Sequence, residues 1–304
     1  MNDHFDLVQD FPSDEHLERY NQLVGIDSLK ERLLNHASML IRPEDLRNWS
    51  TRHHRTILPA IERLQQIPPL ILFEGDVGTG KTTLAETFGE PLARRLKISI
   101  QLRLLSLTTR GTGAVGEMTR RITEAFREVL EHATANSKTK AAKRAIILVI
   151  DEADALAQSR QSQQAHHEDR AGVNALIRGL DRLTDPVKPV VAVMCTNRAS
   201  ALDPAILRRA AGQFTFGRPN RTQRIAILKS HLGPALDESE LTRLGELTGP
   251  KEGRKFGFTA SDLTHRFVPD LILSAYPNRA LTYELASEVA NTVTPTKPFE
   301  AEGD

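Results

Sequence analysis

Cysteine is nearly absent: Cys195 is the only one in 304 residues. No intrachain disulfide can form, which fits a reducing compartment. Aromatic residues are scarce too, at 5%. A strong charge of either sign is missing. The formal net charge is +1, so no global field favours nucleic acid or an acidic membrane, although a local basic patch remains open. No apolar run approaches the roughly 20 residues that span a bilayer. Residues 1–11 lack the apolar stretch of a signal peptide. Internal repeats and extended low-complexity segments are also missing. These absences leave a soluble protein expected in the cytoplasm, with no membrane partner. What is present fits that class: 39% hydrophobic and 26% charged residues, enough for one or two domains with cores of their own.

Residues 1–22 are polar and acidic, with Phe5, Leu7, Val8 and Phe11 interspersed. They are expected as an N-terminal extension, either a disordered tail or a short strap on a neighbour. Apolar residues from Leu29 to Ile41 recur at helical spacing. A second helical stretch covers about 53–65 and ends at Pro68-Pro69. Apolar strands then alternate with helices: strands at 70–73, 98–105, 146–150 and 190–195, helices at 81–96, 119–134 and 171–183. Near-continuous apolar strands between helices predict a parallel sheet covered on both faces. After Pro219 four helices are expected, at 221–232, 237–247, 259–274 and 283–292, with Asn220, Thr259 and Thr282 as N-caps. The chain thus divides into an α/β domain over 23–218, a small all-helical domain over 219–293, and a flexible tail over 294–304.

The run Gly75-Asp76-Val77-Gly78-Thr79-Gly80-Lys81-Thr82 fits G-x-x-x-x-G-K-[ST], the P-loop. Glycines let successive N–H groups turn inward as an anion nest, and the following helix adds its positive end. Lys81 is expected to reach the β- and γ-phosphates, with Thr83 beside it, and Thr82 to ligate Mg2+. A second apolar strand ends in Asp151-Glu152. Asp151 is placed for the magnesium shell and Glu152 for the general base that polarises the attacking water. A third, 193–197, ends in Thr196-Asn197, where an amide can orient water or the γ-phosphate. Asn197-Arg198 lacks the aspartate of a guanine-specificity motif, so ATP is favoured over GTP.

In this order, with Val24-Gly25-Ile26 ahead of the P-loop and Leu202-Asp203-Pro204-Ala205-Ile206-Leu207-Arg208-Arg209 after Asn197, the motifs resemble the AAA+ ATPases. The resemblance covers roughly 23–275. It implies a P-loop AAA+ core of parallel sheet and helices followed by a helical lid, with ATP and Mg2+ as ligands. Val24, Gly25 and Ile26 would line the adenine pocket. Arg209, with Arg208 second, would act in trans on a neighbour's site, which implies a ring of identical subunits, usually a hexamer. The segments 169–181 and 208–217 look like the pachytene-checkpoint branch, whose members remodel HORMA-domain proteins. Its compact bacterial relatives accompany cyclic-nucleotide antiphage (CBASS) operons. The sensor 2 arginine of that branch aligns with Ser261, with Arg266 one turn on.

Residues 111–117 resemble pore loop 1, with Ala114 where an aromatic is usual, followed by Val115 and Gly116. Residues 158–170 would be pore loop 2, and its His166 and His167 are read as solvated loop residues rather than metal ligands. The function this implies is an ATP-driven remodeller of a protein substrate, expected to be a HORMA domain. The alternative is a DNA-acting AAA+ helper or loader, with Arg110, Arg120 and Arg121 on phosphates. Low net charge and few aromatics count against nucleic acid.

Overall fold

The computed structural model describes residues 4–107, 116–136, 143–155, 166–184 and 188–298. The chain forms two compact units.

The first unit comprises Met1–Tyr20, Leu29–Glu74 and Thr82–Thr215. Its centre is a sheet of six strands: β1 (Leu7–Phe11), β2 (Leu70–Gly75), β3 (Ser99–Ser106), β4 (Arg144–Asp151), β5 (Val190–Thr196) and β6 (Ala210–Phe216), in the order β1-β3-β4-β5-β2-β6. β3, β4, β5 and β2 pair in parallel, while β1 runs antiparallel to β3. Strands 4 and 5 are buried along almost their whole length, as central parallel strands covered on both faces must be. Cys195 lies within this core.

The helices of this part of the chain are α1 (Asp14–Asn21), α2 (Asp27–Ile41), α3 (Pro43–His54), α4 (Pro59–Leu64), α5 (Lys81–Thr87), α6 (Gly89–Leu96), α7 (Glu117–Asn136), α8 (His166–Arg182) and a single turn, α9 (Pro204–Leu207). On α7, Ile122, Ala125, Phe126, Val129 and Ala133 make one buried face, at the spacing of an amphipathic helix. They pack with Leu176 and Leu180 of α8 and with β4 and β5 side chains.

Three elements differ from expectation. Residues 7–11 are neither tail nor strap on a neighbour: they extend this chain's own sheet, with Leu7 opposite Leu104 and Phe11 opposite Ile100. Residues 43–54 are helical, and the helix ends at Arg55 in a left-handed conformation, so the stretch read as 53–65 begins only at Pro59. β6 is a further strand, with Phe214 and Phe216 buried and Thr215 turned outward.

The second unit comprises Asn21–Ser28, Gly75–Lys81 and Phe216–Asp304. Its helices are α10 (Arg221–Leu232), α11 (Glu238–Leu247), a π-helical stretch at Asp262–Phe267 that continues as α12 (Val268–Ala275), and α13 (Tyr283–Thr292). Asn220 with Gln223, and Asp237 with Glu240, form capping boxes, which satisfy first-turn N–H groups reciprocally. Thr282 caps α13 through Leu285 N–H. Leu228, Leu244, Phe258, Phe267 and Leu271 make the core, with Val24 packed against it.

Asp262 organises one end of this unit. Its carboxylate accepts from Thr259 N–H at 3.0 Å, Thr296 N–H at 3.0 Å and Thr296 Oγ1 at 2.7 Å, and pairs with Arg266 at 3.1 Å. Residues 294–298, expected as loose tail, are therefore held at Thr296. Burial alone would raise the Asp262 carboxyl, but the hydrogen bonds from Thr259 and Thr296 outweigh it, and the group sits below its ordinary value. Its contribution to stability is thus full above the unfolded carboxyl's pKa of about 4 and is lost as pH falls through the lower folded value. Asp262→Ala strands several buried donors and is expected to cost about 2–4 kcal/mol. Thermal unfolding at pH 7 checks this through a lowered first midpoint.

Candidate nucleotide site

The P-loop begins where β2 leaves the sheet. Gly75 has φ +145°, and a Cβ there would run into the carbonyl of Phe216, so only glycine fits. Gly78, at φ +73°, keeps the loop turning, and a Cβ on it would meet Thr259 and Ser261. Thr79 Oγ1 donates to the Asp76 carbonyl at 2.7 Å. Lys81 is buried, and its Nζ donates to the carbonyls of Gly75 and Asp76, each at 2.8 Å. A glycine-shaped loop closed by its own ammonium group is chemistry suited to a polyphosphate.

Within the second unit one neighbouring segment attaches to this loop, and another is fixed to α10. Ser261 N–H donates to the Gly78 carbonyl at 2.9 Å. Gln223 Nε2 donates to the Gly25 carbonyl at 2.8 Å, and Gly25 has φ +82°. The segment Val24-Gly25-Ile26 is therefore fixed to α10. Ser261, at the position expected for sensor 2, meets the loop through its backbone. Arg266 is engaged elsewhere, with Asp262 and the Thr294 carbonyl at 2.9 Å.

In the first unit, Thr82 lies near enough to Asp151 for its hydroxyl to favour the ionised carboxylate. Burial pushes the Asp151 carboxyl up, and the negative charges of Glu152 and Glu86 add to this, against the hydrogen bonds from Glu152 N–H and Thr82. A carboxylate so crowded by negative charge, beside a hydroxyl, fits Mg2+, which takes hard oxygen donors and would reverse the local balance.

Glu152 follows at φ +56°, a left-handed conformation that costs a non-glycine residue about 1–3 kcal/mol and recurs at functional sites. Its N–H donates to Asp151 Oδ1 at 2.8 Å, and its Oε2 accepts from Ser106 Oγ at 2.9 Å. Ser106 ends β3, and its N–H donates to Asp6 Oδ2 at 2.8 Å. Arg121 binds the same Asp6 oxygen at 2.7 Å. No motif marks Ser106, yet the pattern that singles out Asn197, a polar residue closing a buried strand, finds it equally well.

Asn197 sits just beyond β5, between the strands that carry the P-loop and Asp151. Its N–H donates to Asp154 Oδ1 at 3.2 Å, as does Thr196 Oγ1, also at 3.2 Å. Asp154 is buried and anchors this strand end, a second residue that sequence reasoning passed over.

Arg209 is held by a two-pronged pair with Asp181 of α8, Nε to Oδ1 at 2.7 Å and Nη2 to Oδ2 at 3.0 Å, and by the Ala205 carbonyl at 2.9 Å. Arg208 is exposed. Of the pore-loop residues, Ala114 and Val115 lie outside the described residues. Gly116, at φ +82°, directly precedes α7. His166 and His167 open α8, so the segment expected as loop to residue 170 is helical from 166. Their side chains lie outside the described residues. Arg110 does too, while Arg121 is committed to Asp6, the His4 carbonyl and the Ser106 carbonyl.

Residues 71–218 match the AAA family, described as ATPase family associated with various cellular activities. The chain is 46% identical over 297 residues to CD-NTase-associated protein 6 of Escherichia coli strain MS 115-1, covering 97% of this chain and 96% of that one. It is 39% identical over 294 residues to the protein of the same name from strain KTE188, covering 96% of each. Among solved structures, a chain of the E. coli MS115-1 HORMA:CdnC:Trip13 complex superposes with a TM-score of 0.90 at 46% identity, covering 97% of both chains. Rhizobiales Trip13 superposes with a TM-score of 0.78 at 38% identity, covering 97% of this chain and 100% of that one.

Proposed function

Because the chain belongs to the AAA ATPases, and within them to the family of CD-NTase-associated protein 6, it is an ATPase, and we propose that it spends ATP to remodel a HORMA-domain protein in antiphage signalling. The observation that carries the chemistry is the acidic end of β4, where Asp151 accepts from Glu152 N–H and the Glu152 carboxylate is oriented by Ser106. The partner class is supported by the HORMA protein named in the complex whose chain this one resembles along nearly its full length.

In this reading the backbone of 75–80 and Lys81 cradle the phosphates, while Val24, Gly25 and Ile26 receive the base. Thr82 and Asp151 would hold Mg2+, which would supply positive charge against the phosphate oxygens. Glu152 takes the proton of the attacking water. Asn197 orients that water or the γ-phosphate. Arg209, kept at the surface by Asp181, serves the site of the next subunit in a hexameric ring. No described helix is long and apolar enough to cross a membrane.

The test is nucleotide hydrolysis by the purified chain with and without a HORMA-domain protein in its closed complex. Mg2+-dependent ATP turnover, stimulated by that complex, is expected. Turnover indifferent to the complex but stimulated by DNA would favour the loader alternative.

A further inference from the structure

The second residue of the P-loop is an acid. Asp76 puts a carboxylate into a loop built to receive an anion, a charge that by itself opposes phosphate binding. Its partner comes from the segment between β6 and α10. Arg218 Nε and Nη2 reach Asp76 Oδ2 at 2.8 Å and 2.7 Å. Both side chains are only 16% exposed, so their attraction is screened less than that of a surface pair.

The rest of the Arg218 guanidinium is also engaged. Nη1 donates to the Gly257 carbonyl at 2.8 Å, Nη2 donates to the Thr296 carbonyl at 2.6 Å, and the Phe256 ring lies 5.4 Å from its central carbon. Thr296 is bound to Asp262, Asp262 to Thr259, and Ser261 returns to the P-loop at Gly78. The hydrogen bonds form a circuit that leaves the loop at Asp76 and re-enters it two residues later. The fixed fork of arginine suits this arrangement, since it serves one carboxylate and two carbonyls at once.

We propose that Arg218 is a positioning residue for nucleotide binding: it cancels the charge of Asp76 inside the phosphate loop and ties that loop to the C-terminal segment at Thr296. This rests on nucleotide occupying the P-loop. Its distinctive consequence is that the value of Arg218 depends on the charge at position 76.

The experiment is a double-mutant cycle on the full-length chain, read by titration with a fluorescent ADP in Mg2+. Arg218→Gln is expected to weaken binding about tenfold or more, equivalent to one decade in Kd. In an Asp76→Asn background the same substitution is expected to change affinity by less than about threefold. Arg218→Lys keeps the charge but not the fork, and is expected to recover part of the affinity lost with glutamine. It serves as the readable variant if the glutamine form does not fold. Equal losses in both backgrounds, no loss with Asp76 present, or a lysine variant as impaired as glutamine would each overturn the inference. In those cases wild-type binding leaves the assignment of the P-loop intact. If the wild-type chain itself binds no nucleotide, that assignment falls and this inference with it.

Discussion

Glu152→Gln is expected to stop turnover while leaving nucleotide bound. The substitution is isosteric, and the amide oxygen can still accept from Ser106 Oγ, 2.9 Å from the carboxylate oxygen now. What it cannot do is take a proton from water. Loss of a positioned general base costs about 10²–10⁴-fold in rate, so kcat should fall by that factor. Affinity for ADP depends on the glycine loop and Lys81, and should stay within about threefold. The left-handed backbone of residue 152 is equally strained for glutamine, so stability should not change. Steady-state hydrolysis together with a binding titration separates the two effects. A variant that turns over ATP as fast as the wild type would remove Glu152 from the mechanism.

Arg209→Ala is expected to be as damaging by a different route. An arginine supplied in trans is worth about 10³–10⁵ in rate in GTPases. In this chain the guanidinium is ordered before any neighbour arrives, by Asp181 and the Ala205 carbonyl. The pair with Asp181 is exposed enough to be weak, since the aspartate side chain is 48% accessible, so it orients the group without trapping it. Arg208 is exposed one residue earlier; Arg208→Ala should cost less than about tenfold.

Mixing tests the trans geometry. On the proposed trans reading, Arg209→Ala subunits keep an intact phosphate site and Lys81→Ala subunits an intact finger. Some sites of the proposed ring would then combine both intact halves, so the mixture should hydrolyse ATP faster than the sum of the two variants alone. No recovery on mixing would mean that Arg209 serves its own subunit or none.

The central sheet was readable because its strands are buried on both faces. Residues 146–150 and 190–195 announce themselves as unbroken apolar runs. β1 and β6 lie at the two edges of the sheet and carry half that signal. In β1 the exposed Val8 alternates with less exposed neighbours, and β6 opens on Ala-Ala-Gly. Helix α3 buries only Ser50, so it has no apolar stripe to detect. The capping residues Asn220 and Thr282 were legible because an N-cap acts on its own next turn.

The site divides in the same way. Lys81, Thr82, Asp151 and Glu152 stand in fixed local patterns, and spacing alone finds them. Ser106, Asp154, Asp181 and Arg218 act on partners 46, 43, 28 and 142 positions away. No local pattern encodes such pairs. They become visible only when the sheet aligns strand ends, or when the second unit folds its own segments together.

The most direct test of the account is release of a HORMA-domain protein from its closed complex, followed by loss of a labelled partner from that complex. The wild-type chain with ATP and Mg2+ should release the partner catalytically. The Glu152→Gln chain with ATP should bind the HORMA complex and release nothing. Release by Glu152→Gln at the wild-type rate, or none by the wild type under conditions where it hydrolyses ATP, would contradict the claim that hydrolysis at this P-loop drives the remodelling.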